Sequence, residues 1–366
     1  MRNVFGEIGI PQNDIQKRIK ITFETMFFDE NEKIYLEVGE DMACMVDTGN
    51  NDARSEGMSY GMMMAVQMDR QDIFDKLWLF SKTFMWQKEG KYQGYFAWSV
   101  QLSGVRNAQG PAPDGEEYFA MALFFASHRW GDKAAPFDYG VQARDILRHC
   151  VHQHEMEKEG QPMWDPDNHL IKFVPESPYS DPSYHLPHFY ELFAKWANEE
   201  DRAFWAEAAK ASRKYVPTSA HPTTGMCPEY AEFDGTMRLM FKKIFEYYSD
   251  AYRVIMNIGL DSAWGNKTRA LSEIADKLQT FFAENADVND LRAYHLDGTP
   301  FEEPAMHPTA IIATNAAGSL ATDGKYAAHW VKVFWETPLR KGGRRYYDNC
   351  LYFFCLLMLA GEYQVF

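Results

Sequence analysis

The chain has 366 residues, of which 46% are hydrophobic and 15% aromatic, and its formal net charge is -15 at pH 7. This composition suits a large soluble core, and the acidic charge excludes a nucleic-acid partner, because nucleic-acid binding requires clustered Lys and Arg. The N-terminal residues lack an apolar signal segment, and the apolar run 351–360 is about half as long as the ~20 residues needed to cross a bilayer. With five cysteines and no CxxC pair, we expect a cytoplasmic protein with reduced thiols and no membrane partner.

The hydrophobic period predicts about a dozen helices, separated by turns rich in Gly, Pro and Asp. They are predicted near residues 13–28, 55–69, 71–87, 115–130, 138–154, 186–198, 200–215, 250–264, 267–285, 308–320, 323–336 and 346–361. The densest basic run, 340–345, is interpreted as a solvated loop.

From the second helix onward, the predicted helices alternate between two kinds. Segment 71–87 is amphipathic, because Ile73, Phe74 and Leu77 recur at helical spacing between charged residues. Segment 115–130 carries apolar or small residues on nearly every face, which is typical of a helix enclosed on every side. Alternating outer and inner helices in six antiparallel hairpins predict an all-α fold, the (α/α)6 barrel, with residues 1–366 as one domain.

Three strand-like segments leave a mixed α+β fold as an alternative. They are residues 33–39, 95–102 and 170–176. Because these segments are short and lie between helices, we expect short β hairpins in loops at one rim of the barrel.

If the inner helices all run the same way, their N-terminal ends share one rim, and side chains at those ends converge. Glu56, Asp114 and Asp250 lie at three such helix starts, and His307 precedes a fourth. Each acid taken alone is explained as a helix cap or a dipole partner. The combination of carboxylates with aromatic residues such as Trp98 favours a sugar site, because aromatic rings stack on pyranose C–H groups.

Glycoside hydrolysis requires one carboxyl that stays protonated near neutral pH and one that stays ionised. Glu56 precedes an apolar run, 62–64, where burial would favour the protonated form, although the helix dipole opposes this. Asp250 has Arg253 one turn further on and tyrosines around it, which would keep its carboxylate charged and orient a water molecule. This contrast predicts Glu56 as proton donor and Asp250 as base.

Five segments together resemble glycoside hydrolase family 8, over nearly the whole chain. They read SEGMSYGMM, PAPDGEEYFAMALFFAS, DPSYHLPHFYELFAKWA, YYSDAYRV and YYDNCLYFFCLLMLAG. The resemblance implies an inverting hydrolase on an (α/α)6 barrel, with Glu56 as general acid, Asp250 as general base and Asp114 binding the sugar ring under attack. Tyr184 is implied to hold the nucleophilic water, and the two catalytic carboxyls should stand roughly 6.5 to 9.5 Å apart.

The substrate-binding set predicted from this resemblance and from the rim extends beyond the catalytic pair. Its members are Asp114, Tyr184, Trp98, Arg253, His307 and Tyr347. The family usually shows Ala, Ser or Thr, Asp, Gly or Ala, Asp around the acid at 114, whereas this chain ends the motif with Glu116. The resemblance therefore gives Glu116 no role.

Within the family, the chain is most similar to members that release xylose from the reducing end of xylooligosaccharides. The resemblance implies that His307 and Pro308 block the cleft beyond the first leaving-group sugar. An endo-acting xylanase or β-glucanase with an open cleft is one alternative, and a non-catalytic saccharide-binding protein is another. The sequence does not indicate an oligomeric state.

The mechanism implied requires no cofactor and no metal. His149, His152 and His154 lie close together in one predicted outer helix, beside Cys150. Their spacing matches neither HExxH nor a paired Cys/His site, so no metal site is predicted.

Overall fold

A computed structural model describes residues 1–240 and 244–366. The α-helices of the described residues are α1 Val4–Glu7, α2 Gln12–Phe28, α3 Ser55–Gln67, α4 Gln71–Phe80, α5 Pro113–Trp130, α6 Tyr139–Met156, α7 Pro187–Trp196, α8 Arg202–Ser219, α9 Arg253–Ala263, α10 Arg269–Asn285, α11 Pro308–Ala317, α12 Ala327–Glu336 and α13 Arg345–Ala360. The β-strands are β1 Tyr35–Val38, β2 Met42–Met45, β3 Asp52–Arg54, β4 Ser99–Gln101, β5 Tyr179–Ser180, β6 Ala231–Glu232, β7 Arg292–Tyr294 and β8 Pro300–Pro304.

The strands form two-stranded antiparallel sheets, β1 with β2, β3 with β4, β5 with β6, and β7 with β8. Segments 33–39 and 95–102 therefore contain strands, as predicted. Segment 170–176 instead contributes a single bridge between Trp164 and Ile171. Pro175 lies in this segment and lacks the N–H that a longer ladder requires.

Each predicted helix is present, with ends that differ from the prediction by a few residues. The largest difference is in segment 71–87, where the α-helix ends at Phe80 and a π-helical turn, Ser81–Met85, follows. A second difference concerns Asp250, which was predicted to begin an α-helix. It lies in a 3-10 turn, Ser249–Tyr252, and the α-helix begins at Arg253. Such tight turns are frequent at helix ends, and Ser249 enters this one with a φ of 34°.

The described residues fall into two compact units. The first unit comprises residues 1–24, 178–188 and 209–363, and the second comprises 25–177, 189–208 and 364–366. The assignment of residues 1–366 to one domain stays a prediction. None of the helices in the described part of the chain is long and apolar enough to cross a membrane.

In the second unit, α3 and α5 are buried on nearly all sides, as predicted for inner helices. The two helices pack against each other, and α5 also packs against α6. At Gly115, a Cβ atom would lie 2.6 Å from the Ser55 Oγ. The glycine thus allows the first turns of α3 and α5 to touch.

In the first unit, α9, α11 and α13 are likewise buried, whereas α10 and α12 keep exposed faces. The helix α11 packs against α9, α12 and α13. At Gly259, a Cβ atom would lie 2.3 Å from the Ala317 carbonyl oxygen, so the glycine brings α9 and α11 into backbone contact. All five cysteines are free thiols and buried, including Cys350 and Cys355 in the core of α13.

Candidate active site

The structure places Glu56 in the first turn of α3, partly exposed between two buried neighbours, Ser55 and Gly57. The backbone N–H of Ser55 donates a hydrogen bond to the Trp98 carbonyl oxygen at 2.9 Å. The Ser59 hydroxyl donates to the Glu56 carbonyl oxygen at 2.9 Å. The backbone that carries Glu56 is therefore fixed both within its own helix and against the residue that carries the Trp98 ring.

Asp114 lies in the first turn of α5 and is buried. Because the first turns of α3 and α5 touch at Ser55 and Gly115, Asp114 and Glu56 lie on adjoining helix starts. The structure thus brings together two of the acids that were predicted to converge at the N-terminal ends of the inner helices.

An ion-pair cluster beside Trp98 was missed by the sequence reasoning. The Arg54 guanidinium carbon lies 5.3 Å from the centre of the Trp98 ring. Its Nε lies 3.1 Å from Asp47 Oδ2 and 3.2 Å from Asp52 Oδ1, and Ser99 Oγ donates to Asp52 Oδ2 at 2.8 Å. An arginine on the face of a partly exposed tryptophan stabilises the orientation of that ring. The available signal was the position of Arg54, two residues before Glu56.

Asp250, Arg253 and Tyr184 come together in the first unit. Arg253 Nη2 lies 3.6 Å from Asp250 Oδ1 and donates a hydrogen bond to Ser183 Oγ at 2.9 Å. The guanidinium carbon also lies 5.4 Å from the centre of the Tyr184 ring. Since Arg253 is only 2% exposed, its charge acts on Asp250 with little screening by water.

A second acid behind Asp250 was also missed. Asp181 is fully buried, and its Oδ1 accepts the Ser183 N–H at 2.7 Å. Burial and the neighbouring charge of Asp250 raise the pKa of Asp181 well above its usual range, although Arg253 opposes this. A neutral Asp181 holds the turn that carries Ser183 and Tyr184 without adding a second negative charge beside Asp250. Asp181 could have been found from the sequence, because it begins the DPSY motif that also contains Tyr184.

His307 is held by a buried carboxylate. Its Nδ1 donates to Asp348 Oδ2 at 2.8 Å, and its ring lies 4.7 Å from the Tyr347 ring. Arg340 Nη1 donates to the same Asp348 oxygen and to the Met306 carbonyl oxygen, at 2.5 Å each. The interpretation of the basic run 340–345 as a solvated loop is therefore wrong for Arg340, because the buried Asp348 charge requires a cation beside it.

The histidines of α6 have other partners. His152 contacts Glu155 at 2.9 Å and Asp201 at 2.6 Å, and His149 Nδ1 contacts the Gln153 amide oxygen at 2.8 Å. In residues 1–240 and 244–366, no group of three or more His, Cys, Asp or Glu residues is arranged to hold a metal ion.

Comparison with known proteins gives the same family as the sequence motifs. The profile of Glycosyl hydrolases family 8 matches residues 44–361. The chain is 55% identical to the reducing-end xylose-releasing exo-oligoxylanase Rex8A of Paenibacillus barcinonensis, with 100% of this chain and 96% of that protein covered. It is 56% identical to the reducing end xylose-releasing exo-oligoxylanase of Halalkalibacterium halodurans, with 100% and 94% covered.

A solved structure of Rex8A complexed with xylose superposes with a TM-score of 0.97 at 56% identity, covering 99% of this chain and 97% of that chain. This likeness confirms the predicted all-α class and the (α/α)6 barrel fold. The matched profile and the full-length identity lead to one assignment: the chain belongs to glycosyl hydrolase family 8.

Proposed function

We propose that this glycoside hydrolase releases xylose from the reducing end of xylooligosaccharides. The observation that carries the proposal is the identity of 55% and 56%, over the full chain, to two enzymes with this activity. Solved structures of Rex8A in complex with xylose, and of a Rex8A mutant with an arabinofuranosyl-xylotetraose, support a xylose-based ligand.

In the proposed mechanism, Glu56 gives its proton to the glycosidic oxygen as the bond to the leaving xylose breaks. Asp250 removes a proton from a water molecule, which forms the new bond to the anomeric carbon from the opposite face. This single displacement inverts the configuration and forms no covalent intermediate. The 3.6 Å contact between Arg253 Nη2 and Asp250 Oδ1 supports this division of roles, because a buried guanidinium at this distance holds the Asp250 carboxyl in place.

Three residues are proposed to hold the sugar and the attacking water around the bond that breaks. Asp114 would accept hydrogen bonds from hydroxyls of the ring under attack, and Tyr184 would help to hold the attacking water. Trp98 is 37% exposed, which leaves ring surface available for stacking on a sugar.

We propose that His307 and Tyr347 limit the leaving-group side to one xylose unit. The support is the rigid attachment of the His307 ring, which contacts both Asp348 and Tyr347. The Tyr347 hydroxyl in turn donates to the Ser249 carbonyl oxygen at 3.3 Å, one residue before Asp250. A ring held in this way would end the cleft at a fixed distance from the base.

Product analysis with xylotriose and xylotetraose labelled at the reducing end tests the proposed function. We expect all early label to appear in free xylose, together with unlabelled xylobiose or xylotriose. The Glu56→Gln variant should release no label under the same conditions. Early label in xylobiose would show internal cleavage and favour the endo-acting alternative, whereas binding without any cleavage would favour a non-catalytic saccharide-binding protein.

A further inference from the structure

In the segment 95–98, which leads to Trp98, one backbone N–H points away from the neighbouring backbone with which the segment pairs. Gln87 N–H donates to the Tyr95 carbonyl oxygen and Ala97 N–H donates to the Met85 carbonyl oxygen, at 2.9 Å each. These bonds lie on one edge of the segment. The N–H of Phe96 lies on the other edge, and a buried N–H without an acceptor is destabilising.

Glu116 supplies that acceptor. Its Oε1 accepts the Phe96 N–H at 2.9 Å, and its side chain, on the first turns of α5, is fully buried. The Phe96 ring packs on Phe119 of the same helix, with 4.6 Å between ring centres. The segment is thereby attached to α5 both by a hydrogen bond and by an aromatic contact.

The other end of the segment meets the start of α3. Trp98 N–H donates to the Gly110 carbonyl oxygen at 3.0 Å, and the Trp98 carbonyl oxygen accepts the Ser55 N–H at 2.9 Å. A displacement at Phe96 would therefore move Trp98 and, through Ser55, the first turn that carries Glu56.

We propose that Glu116 is a positioning residue, whose hydrogen bond to Phe96 fixes the Trp98 ring and the Glu56 carboxyl relative to α5. The proposal rests on the proposed function, because it takes Glu56 as the proton donor. It gives a role to Glu116, to which the family resemblance gave none.

The surroundings of Glu116 favour its neutral form. The titratable groups around it include Asp114 and Glu117 on its own helix, Tyr95 on the attached segment and Cys150 on α6. Burial, with a smaller contribution from Asp114, raises the pKa of Glu116 to about 8, against the effect of its backbone hydrogen bonds. Its Oε2 is buried without a hydrogen-bond partner in the described part of the chain, which a neutral carboxyl tolerates better than a carboxylate.

The test compares Glu116→Gln, which keeps the acceptor, with Glu116→Leu, which removes it at similar volume. Each variant is assayed on xylotetraose and on xylobiosyl fluoride, whose leaving group needs no proton. For Glu116→Gln we expect kcat/KM within about threefold of the unaltered enzyme on both substrates, because the Phe96 bond persists. For Glu116→Leu we expect kcat on xylotetraose to fall by at least about tenfold, because a small displacement of a catalytic group is costly.

The contrast between substrates separates positioning from a general structural defect. Glu116→Leu should lose much less activity on the fluoride than on xylotetraose, since a misplaced proton donor matters only for the latter. Equal losses on both substrates, or loss in the Gln variant as large as in the Leu variant, would contradict the proposal.

Two controls keep this test separate from the proposed function. Glu89→Gln changes an exposed glutamate and should leave both rates unchanged. If Glu116→Leu does not fold, as judged by circular dichroism, Glu116→Met fills similar volume with a more adaptable side chain and should give the same contrast. Hydrolysis of xylotetraose by the unaltered enzyme, and its loss in Glu56→Gln, test the proposed function itself.

Discussion

Replacing Glu116 with Gln should change how the stability of the enzyme depends on pH. In the unfolded chain, Glu116 has the ordinary pKa of 4.5, whereas in the folded protein burial raises the pKa to about 8. Between these two values, the folded state holds a proton that the unfolded state has released. The contribution of Glu116 to the free energy of unfolding is therefore fully present below its pKa in the unfolded chain. It is lost as the pH rises through its pKa in the folded protein.

The size of the effect follows from those two values. Each pKa unit corresponds to about 1.4 kcal/mol, so the full difference amounts to about 5 kcal/mol. Between about pH 5 and about pH 8, the unaltered enzyme should lose about 3.5 kcal/mol through Glu116 alone. A glutamine cannot ionise, so the Glu116→Gln variant should not show this loss.

Urea unfolding followed by circular dichroism at several pH values measures the difference directly. The free energy of unfolding of Glu116→Gln, relative to the unaltered enzyme, should rise steadily from about pH 5 to about pH 8. The control Glu89→Gln, at an exposed position, should give no such rise. Parallel pH profiles for Glu116→Gln and the unaltered enzyme would show that the buried carboxyl is not held neutral, and would refute the reasoning.

Two further predictions concern other contacts of the site. Gly115→Ala would place a Cβ 2.6 Å from Ser55 Oγ, so we expect about 1–3 kcal/mol of destabilisation from overpacking and a loss of kcat. Adding Ser55→Gly to this variant should restore part of the lost stability and part of the lost kcat. An unchanged kcat in Gly115→Ala would contradict this prediction. Asp348→Ala removes the acceptor of His307, so labelled xylotetraose should begin to yield labelled xylobiose beside xylose. An unchanged product ratio in a folded Asp348→Ala variant would show that the attachment of His307 does not set the cleavage position.

The helices could be predicted from the sequence because their burial follows a regular period. The nearly continuous apolar character of α5 and α13 marked them as inner helices, and the exposed faces of α10 and α12 appear in the sequence as charged residues at helical spacing. Helix starts also located Glu56 and Asp114 correctly, since both lie in the first turns of buried helices.

The residues that hold the site in place could not be predicted in this way. Asp181, Glu116 and Asp348 accept hydrogen bonds from backbone N–H groups or from a side chain distant in sequence, and Arg54 is paired with the side chains of Asp47 and Asp52. Such bonds depend on tertiary geometry, and a single acidic or basic residue in a sequence does not indicate its partner. The 3-10 turn that carries Asp250 escaped prediction for a similar reason, because its composition also suits an α-helix.

The central claim is that Glu56 donates the proton and Asp250 activates the water. Hydrolysis of xylobiosyl fluoride by Glu56→Gln and by Asp250→Asn tests it most directly, because this substrate needs a base but no acid. We expect Glu56→Gln to hydrolyse the fluoride while failing on xylotetraose, and Asp250→Asn to fail on both. Rapid fluoride hydrolysis by Asp250→Asn, or loss of it in a folded Glu56→Gln variant, would contradict the assignment.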